Sequence, residues 1–313
     1  MALLARVADR LYWAARYVER AEDTARIVRA YHELVVDFPG DVMLRWEPLA
    51  AIAGSEAVLV ATVDDVAGEI TVMQHLIADR GNPGSIVGCV ALARENLRTT
   101  REVIPREAWQ VVNSLSHFVD STAHDAVGRQ GRDRFLARVV DESRRLDGVV
   151  DSTMTRANSY RMFRLGRLVE RADMTTRVLG VRAAALLQLQ SFGVGTVGEE
   201  VQWMGVLRSL SALQMYQRAT RGPVEGEAVV RFLLFDAAFP RSVQGCLEEI
   251  RGVLAGLPSA HDVIAVLNST EAIVSDCHPI TSDGVELDAA MDRLQDAIAA
   301  LDRAIHDRYL AAW

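Results

Sequence analysis

Apolar positions along the chain recur mainly at helical spacing. Leu11, Ala14, Val18, Ala21, Ala25 and Val28 form a stripe within a segment from about residue 5 to 37, the i, i+3, i+4, i+7 recurrence of a helix with one buried face. A helix of that length runs about 50 Å, which suits a long bundle better than a compact globin-like packing. The same period predicts further helices near 85–102, 106–127, 131–157, 160–192, 199–221, 225–235, 241–255, 260–276 and 283–309. Eight prolines fall where these patterns start or stop, as expected of a residue that breaks helix interiors. Asn82-Pro83-Gly84-Ser85 is turn chemistry followed by a good N-cap, and Pro240 reads as a first helical residue. The stretch from Ser191 to Gly198, with three glycines, is the most linker-like. Only Val58 to Val63 is strand-like, and a buried helix accounts for it equally well. The expected fold is all-α.

Composition narrows the function classes. The 313 residues are 50% hydrophobic and 24% charged, enough to bury a substantial core. We read them as one helical domain over 1–313, with halves near 1–157 and 158–313. A net charge of −8 argues against nucleic-acid or anionic-membrane partners. All 34 basic residues are arginine. Without lysine there is no P-loop lysine, no Schiff base and no kinase strand lysine. Cys89, Cys246 and Cys277 form no Cys-x-x-Cys pair, which points to a reducing compartment rather than a zinc site or disulfide frame. Arg6, Asp9 and Arg10 interrupt any signal-peptide core. The longest uncharged run, 183–198, is shorter than the roughly 20 residues that span a bilayer. A cytoplasmic protein without membrane attachment, metal or cofactor is expected.

Two stretches 151 residues apart match each other. Arg10 to Arg26 aligns with Arg161 to Arg177, with identities at Arg10/Arg161, Arg16/Arg167, Val18/Val169, Glu19/Glu170, Arg20/Arg171, Ala21/Ala172, Thr24/Thr175 and Arg26/Arg177. Most identities are charged, whereas unrelated amphipathic helices would share mainly apolar positions. This favours a duplicated element and predicts two pseudo-equivalent halves. On a helical wheel centred on Val18, Arg26 and Glu19 fall about 80° and 100° from the core direction, at the edge of the stripe. Arg16 lies near about 160° and Arg20 also lies far round, so both are expected to reach a hydrated region.

Arg16, Glu19, Arg20 and Arg26, with Arg167, Glu170, Arg171 and Arg177, are therefore the leading binding candidates. Two readings stay open. One is a semi-buried ion-pair network that fixes helix register, since losing one partner of a buried pair costs about 3–5 kcal/mol. The other is a site for a carboxylate or phosphate, which arginine forks bind bidentately.

Arg6-Val-Ala-Asp-Arg-Leu-Tyr-Trp-Ala-Ala-Arg-Tyr-Val-Glu-Arg-Ala-Glu, followed by Phe163-Arg-Leu-Gly-Arg-Leu-Val-Glu-Arg-Ala-Asp-Met-Thr, resembles the alpha-E domain family, a bacterial all-helical family named for its Glu-Arg motif. The likeness continues through Asn82-Pro-Gly-Ser-Ile, Ala93-Arg-Glu-Asn-Leu-Arg, Trp203, Leu207-Arg-Ser-Leu-Ser-Ala, and Phe232-Leu-Leu-Phe-Asp ahead of Phe239-Pro-Arg-Ser-Val. Ala15 stands where the family commonly has Gly, and Asp23 where it commonly has Asn. The resemblance raises Arg94, Glu95, Asn96, Arg98, Arg241 and Ser242 to second-tier candidates. It also implies a role beside a circularly permuted ATP-grasp ligase, often with a transglutaminase-like protein, in making amide or peptide bonds. Lacking lysine, the chain is not expected to be the ligase itself.

The leading expectation is thus an accessory or co-catalytic partner that binds the ligase, or its peptide-like anionic substrate, through the Arg/Glu seam. One alternative is an enzyme using Glu19 or Glu170 as general base with arginine clamps. Another is a structural bundle that forms homo-oligomers. His117, Asp120 and His124 share a helical face, but no Glu-x-x-His of the ferritin-like kind accompanies them. No Gly-x-Ser-x-Gly elbow is present, and Cys277-His278 before Pro279 reads as a turn rather than a dyad.

Overall fold

The computed structural model describes residues 3–37, 65–192, 196–277 and 284–311, together with Trp46, Leu49 and Ile52. Among the described residues there are twelve α-helices and no strand. They are α1 (Ala5–Asp37), α2 (Asp65–Met73), α3 (Ile86–Arg98), α4 (Arg106–Thr122), α5 (Arg132–Thr153) and α6 (Asn158–Phe192). After these come α7 (Thr196–Ser209), α8 (Leu213–Thr220), α9 (Gly226–Phe235), α10 (Val243–Leu254), α11 (His261–Asp276) and α12 (Gly284–Ile305).

The two longest helices, α1 and α6, pack on each other at the centre. Helix α1 is also covered by α3, α5 and α7, while α6 is backed by α10 and α12. The remaining helices form an outer layer in chain order, α3 on α4, α4 on α5, α10 on α11 and α11 on α12. Close contact between the central pair requires a small residue. A Cβ at Gly166 would collide with the Tyr12 carbonyl, and Tyr12, Leu11, Phe163, Leu165 and Leu168 fill the space around the crossing, all buried. Truncating one such leucine to alanine would cost about 2–5 kcal/mol.

Several boundaries differ from the pattern-based expectation. The segment 85–102 is a helix to Arg98 followed by a short 3-10 turn, and 106–127 likewise stops at Thr122. The 131–157 helix ends at Thr153. The expected 199–221 helix is two helices, because Ser211 adopts a left-handed conformation with φ 53°; Ser-Leu-Ser-Ala carries no glycine or proline to announce that break. Pro240 is not the first helical residue. Helix α10 starts at Val243 because the Ser242 side chain accepts from the Gly245 N–H and acts as N-cap. Ser85 caps α3 in the expected way. Helix α2 was not expected. Residues 58–63 lie outside the described residues, as do 193–195 of the linker-like stretch, on either side of which α6 and α7 are helical.

Candidate functional site

The matched Arg/Glu residues meet across the α1–α6 contact, and the exchange is reciprocal. Glu170 of α6 accepts from the Nε–H of Arg16 at 2.7 Å and from Arg20 at 2.5 and 3.0 Å, both on α1. Glu19 of α1 accepts from the Nε–H of Arg167 at 2.9 Å and from Arg171 at 2.9 and 3.0 Å, both on α6. Each glutamate therefore takes the arginines one turn before it and directly after it in the opposite stretch. Both carboxylates are buried, at 1% and 0% exposure.

Arg16 departs from its wheel position, whereas Arg20 keeps a side chain 26% exposed while pairing with Glu170. Arg16 is buried, donates also to Asp302 at 2.8 Å and lies over the Trp13 ring at 4.9 Å. Its face of α1 is not a solvent face, because neighbouring helices enclose α1 on several sides. Arg26 and Arg177 make no such exchange. Arg26 donates to the Ser209 carbonyl at 2.6 Å and pairs with Asp23, while Arg177 donates to Asp173 at 2.8 Å within its own helix.

The Glu19 side has a larger network. Arg241, 222 positions away in sequence, donates to Glu19 at 2.6 Å, Asp23 at 3.1 Å and Glu22 at 3.0 Å. Arg167 also pairs with Asp147, and Arg144 approaches Glu22 at 3.4 Å. Glu22 and Asp147 were not singled out in the sequence, and Asp23 only as a departure from the family's Asn, since acids on a helix ordinarily read as a solvent face. Their available signal was spacing: Glu19, Glu22, Asp23 and Arg26 follow the same i, i+3, i+4, i+7 period as a core stripe. Among the described residues, carboxylate oxygens of Glu19, Glu22 and Asp147 lie within 4.8 Å of one another. Arginines already engage all three carboxylates, so their chemistry does not suit a metal cation.

Charge states follow from this packing. Burial works against ionised Glu170, but the Arg20 and Arg16 guanidiniums override it and hold its pKa down at about 2. Glu19 is likewise driven well below the usual carboxylate range by Arg171, Arg241 and Arg167, against the effect of burial. Asp23 and Asp147 move the other way. Burial pushes both up to about 7, because Arg26 and Arg167 only partly compensate and Glu19 adds repulsion. Glu22 Oε2 and Asp23 Oδ2 are buried without a hydrogen-bond partner, which for Asp23 agrees with a carboxyl that readily holds its proton.

A second matched pair supports the network from either side. The turns before α3 and α10 share the pattern Asp-x-x-x-Pro-x-Ser-x-x-Gly-Cys, at Asp79 to Cys89 and Asp236 to Cys246. Ser85 and Ser242 each accept from the glycine N–H three residues on at 2.9 Å, and each donates to the aspartate carbonyl six residues back at 2.6 Å. The cysteine thiols donate to the carbonyls of Pro83 at 3.3 Å and Pro240 at 3.6 Å. Burial pushes both thiols up to about 12. Ser242 thus serves as a cap, and Arg241 joins the Glu19 network.

The other second-tier residues lie elsewhere. Arg94 donates to Asn113 of α4 at 2.9 Å and stacks on Trp109, and Glu95 pairs with Arg98 on an exposed face. The Asn96 carbonyl accepts from Thr99 and Thr100. His117, Asp120 and His124 are exposed, and Asp120 pairs with Arg80. Cys277 is buried and donates to the Ile273 carbonyl at 3.3 Å; His278 is outside the described residues.

The family profile described as "a predicted alpha-helical domain with a conserved ER motif" matches residues 3–310. The chain belongs to the Alpha-E family. Glu19-Arg20 and Glu170-Arg171 are its two Glu-Arg pairs on the central helices. This Alpha-E chain is 25% identical to an uncharacterized protein of Mycobacterium bovis and to one of Mycobacterium tuberculosis, over 96% of its own length and 36% of theirs. A protein from a second Mycobacterium tuberculosis strain is 24% identical over the same shares. The Alpha-E chain therefore spans about a third of the length of these curated relatives. No solved structure matches it. No helix among the described residues is long and apolar enough to cross a membrane.

Proposed function

We propose that this protein is a helical accessory partner of an ATP-grasp ligase that forms amide or peptide bonds. The observation that carries this reading is the mismatch in length. The chain aligns along 96% of itself but only 36% of its mycobacterial relatives, so there the same helical unit is joined to nearly twice its length of other chain. A helical unit that is joined to other chain in those relatives is suited to work together with further protein. The resemblance to proteins associated with circularly permuted ATP-grasp ligases names the class, with a transglutaminase-like protein as a further partner.

In this reading the Arg/Glu seam is the internal frame that holds the docking faces in register, rather than the surface that meets substrate. A general base works best with a pKa near the operating pH and within reach of its proton. Glu170 is held near 2, and both glutamates are buried and occupied by guanidiniums. The catalytic alternative is disfavoured on those grounds. The reciprocal pairing and the twin capped turns support an internal duplication. Free, buried Cys89, Cys246 and Cys277 support a reducing, cytoplasmic setting. Nucleic acid and membrane are not partners in this reading, and self-association is secondary.

Affinity capture from native lysate, with mass spectrometry, tests the proposal. Stoichiometric recovery of an ATP-grasp chain is expected. Micromolar ATP binding by the isolated protein in calorimetry, or self-association as the sole interaction, would overturn it.

A further inference from the structure

Beside the buried network, a cleft opens between α1, α5, α7 and the turn after α7. It holds about 200 Å³ and is lined by Arg26, Arg29, Glu33, Asp141, Arg144 and Arg208, among others. We propose that this cleft binds a small oxyanion, either a carboxylate or a phosphate. This goes beyond the ligase reading and does not depend on it.

Three observations carry the inference. The lining has four guanidiniums and two carboxylates; Arg29 and Arg26 are already held by Asp133 and Asp23, while Arg144 reaches Glu22 only at 3.4 Å, and arginine forks match the planar or tetrahedral oxygens of such anions. The volume is below the roughly 300–1,000 Å³ of drug-sized sites, so it suits one anionic group rather than a whole peptide or nucleotide. Third, Arg26 is 4% exposed, its terminal nitrogens are taken by Ser209 and Asp23, and its Nε–H makes no hydrogen bond, only a 3.3 Å ion pair with Glu22. That ion pair is long for a charge-assisted contact, and an oxyanion in the cleft supplies acceptor atoms to the residues around it.

Arg144 is the group best placed to change partners. It is half-exposed, lies 3.4 Å from Glu22 and donates to the Ser211 hydroxyl at 3.1 Å. Both contacts are long for charge-assisted bonds, so exchanging them for a bidentate oxyanion is favourable. Ser211 holds a left-handed backbone at φ 53°, a conformation unfavourable for a non-glycine residue, and this turn brings its hydroxyl to the cleft.

Calorimetry and thermal melts of the intact chain, with chloride matching the ionic strength, test the proposal. The probes are inorganic phosphate, N-acetyl-dialanine with a free carboxylate, and its C-terminal amide. Saturable binding of phosphate, the carboxylate peptide or both is expected, with none to the amide. Which probe binds identifies the anion. Arg144→Gln and Arg208→Gln should each weaken binding about tenfold or more, while Glu33→Gln tightens it by removing a like charge. Should Arg208→Gln fail to fold, the opposite shifts in Arg144→Gln and Glu33→Gln still decide. Binding no stronger than matched chloride, or equal binding by wild type and both arginine variants, would overturn the proposal.

Discussion

Gly84 and Arg241 stand at the same place in two otherwise matching capped turns, and only Arg241 reaches a buried carboxylate. Each residue lies between the turn's proline and its capping serine. On the Glu170 side glycine contributes no side chain, and two arginines suffice for one glutamate. On the Glu19 side the arginine serves Glu19, Glu22 and Asp23 together. The third guanidinium therefore serves the extra acids as well as Glu19.

That relationship predicts the behaviour of Arg241→Gly. Glu19 keeps Arg167 and Arg171, the same number of partners as Glu170, while Glu22 loses its hydrogen-bond donor and Asp23 is left with Arg26. Leaving a buried acceptor unpaired costs about 1–3 kcal/mol, and Asp23 can limit the loss by keeping its proton. Asp23→Asn should therefore recover part of the stability lost in Arg241→Gly, with a coupling of about 0.5–3 kcal/mol in a double-mutant cycle measured by urea unfolding. Strict additivity of the two changes would contradict this account.

The two glutamates should differ in cost. Glu19→Ala leaves Arg171, whose side chain is 6% exposed, without a carboxylate, while Arg167 keeps Asp147 and Arg241 keeps Glu22 and Asp23; Glu170→Ala strands the 26%-exposed Arg20, while Arg16 keeps Asp302. Both fall in the range of about 3–5 kcal/mol for breaking a buried pair, but Arg20 can turn to water. Thermal melts should show a loss of about 10 °C in each variant, larger for Glu19→Ala. The reverse order would contradict the geometry.

What was legible in the sequence was what lies within one helix or one turn. The long α1, the edge positions of Glu19 and Glu170, and the Ser85 cap depend on neighbours a few residues away. Arg241 was visible as a candidate, but its destination was not, because its partners lie more than 200 positions away on another element. Arg16 was misplaced on the wheel because a wheel assigns one buried face, while α1 is covered by α3, α5, α6 and α7. The break at Ser211 left no trace because serine, unlike glycine, does not announce a left-handed backbone.

The cysteines give a prediction about reactivity. Alkylation needs the thiolate, and burial pushes Cys89 and Cys246 up to about 12 while both thiols are held on proline carbonyls. Cys277 is also shifted upward by burial, but its side chain sits at the C-terminal end of α11 with slightly more exposure. Iodoacetamide at mildly alkaline pH should label Cys277 first, and Cys89 and Cys246 only upon unfolding. Peptide mass spectrometry showing early labelling of Cys89 would contradict the packing of that turn.

The opposed carboxyl shifts make stability depend on pH in two directions. Asp23 and Asp147 are raised from 3.8 to about 7, so between those values the folded chain holds more protons than the unfolded one. Their contribution is complete below the unfolded value and is lost as pH rises through about 7. Glu19 and Glu170 are lowered from 4.5, so their contribution is present above that value and is lost as pH falls below it, for Glu170 towards about 2. Stability should therefore peak in mildly acidic solution, with a melting temperature several degrees higher near about pH 5.5 than near about pH 8. Asp147→Asn removes one of the two groups responsible for the alkaline limb and should flatten it, leaving the acid limb in place. A melting temperature that rises steadily from pH 5.5 to pH 8 would show that Asp23 and Asp147 are fully ionised in the fold.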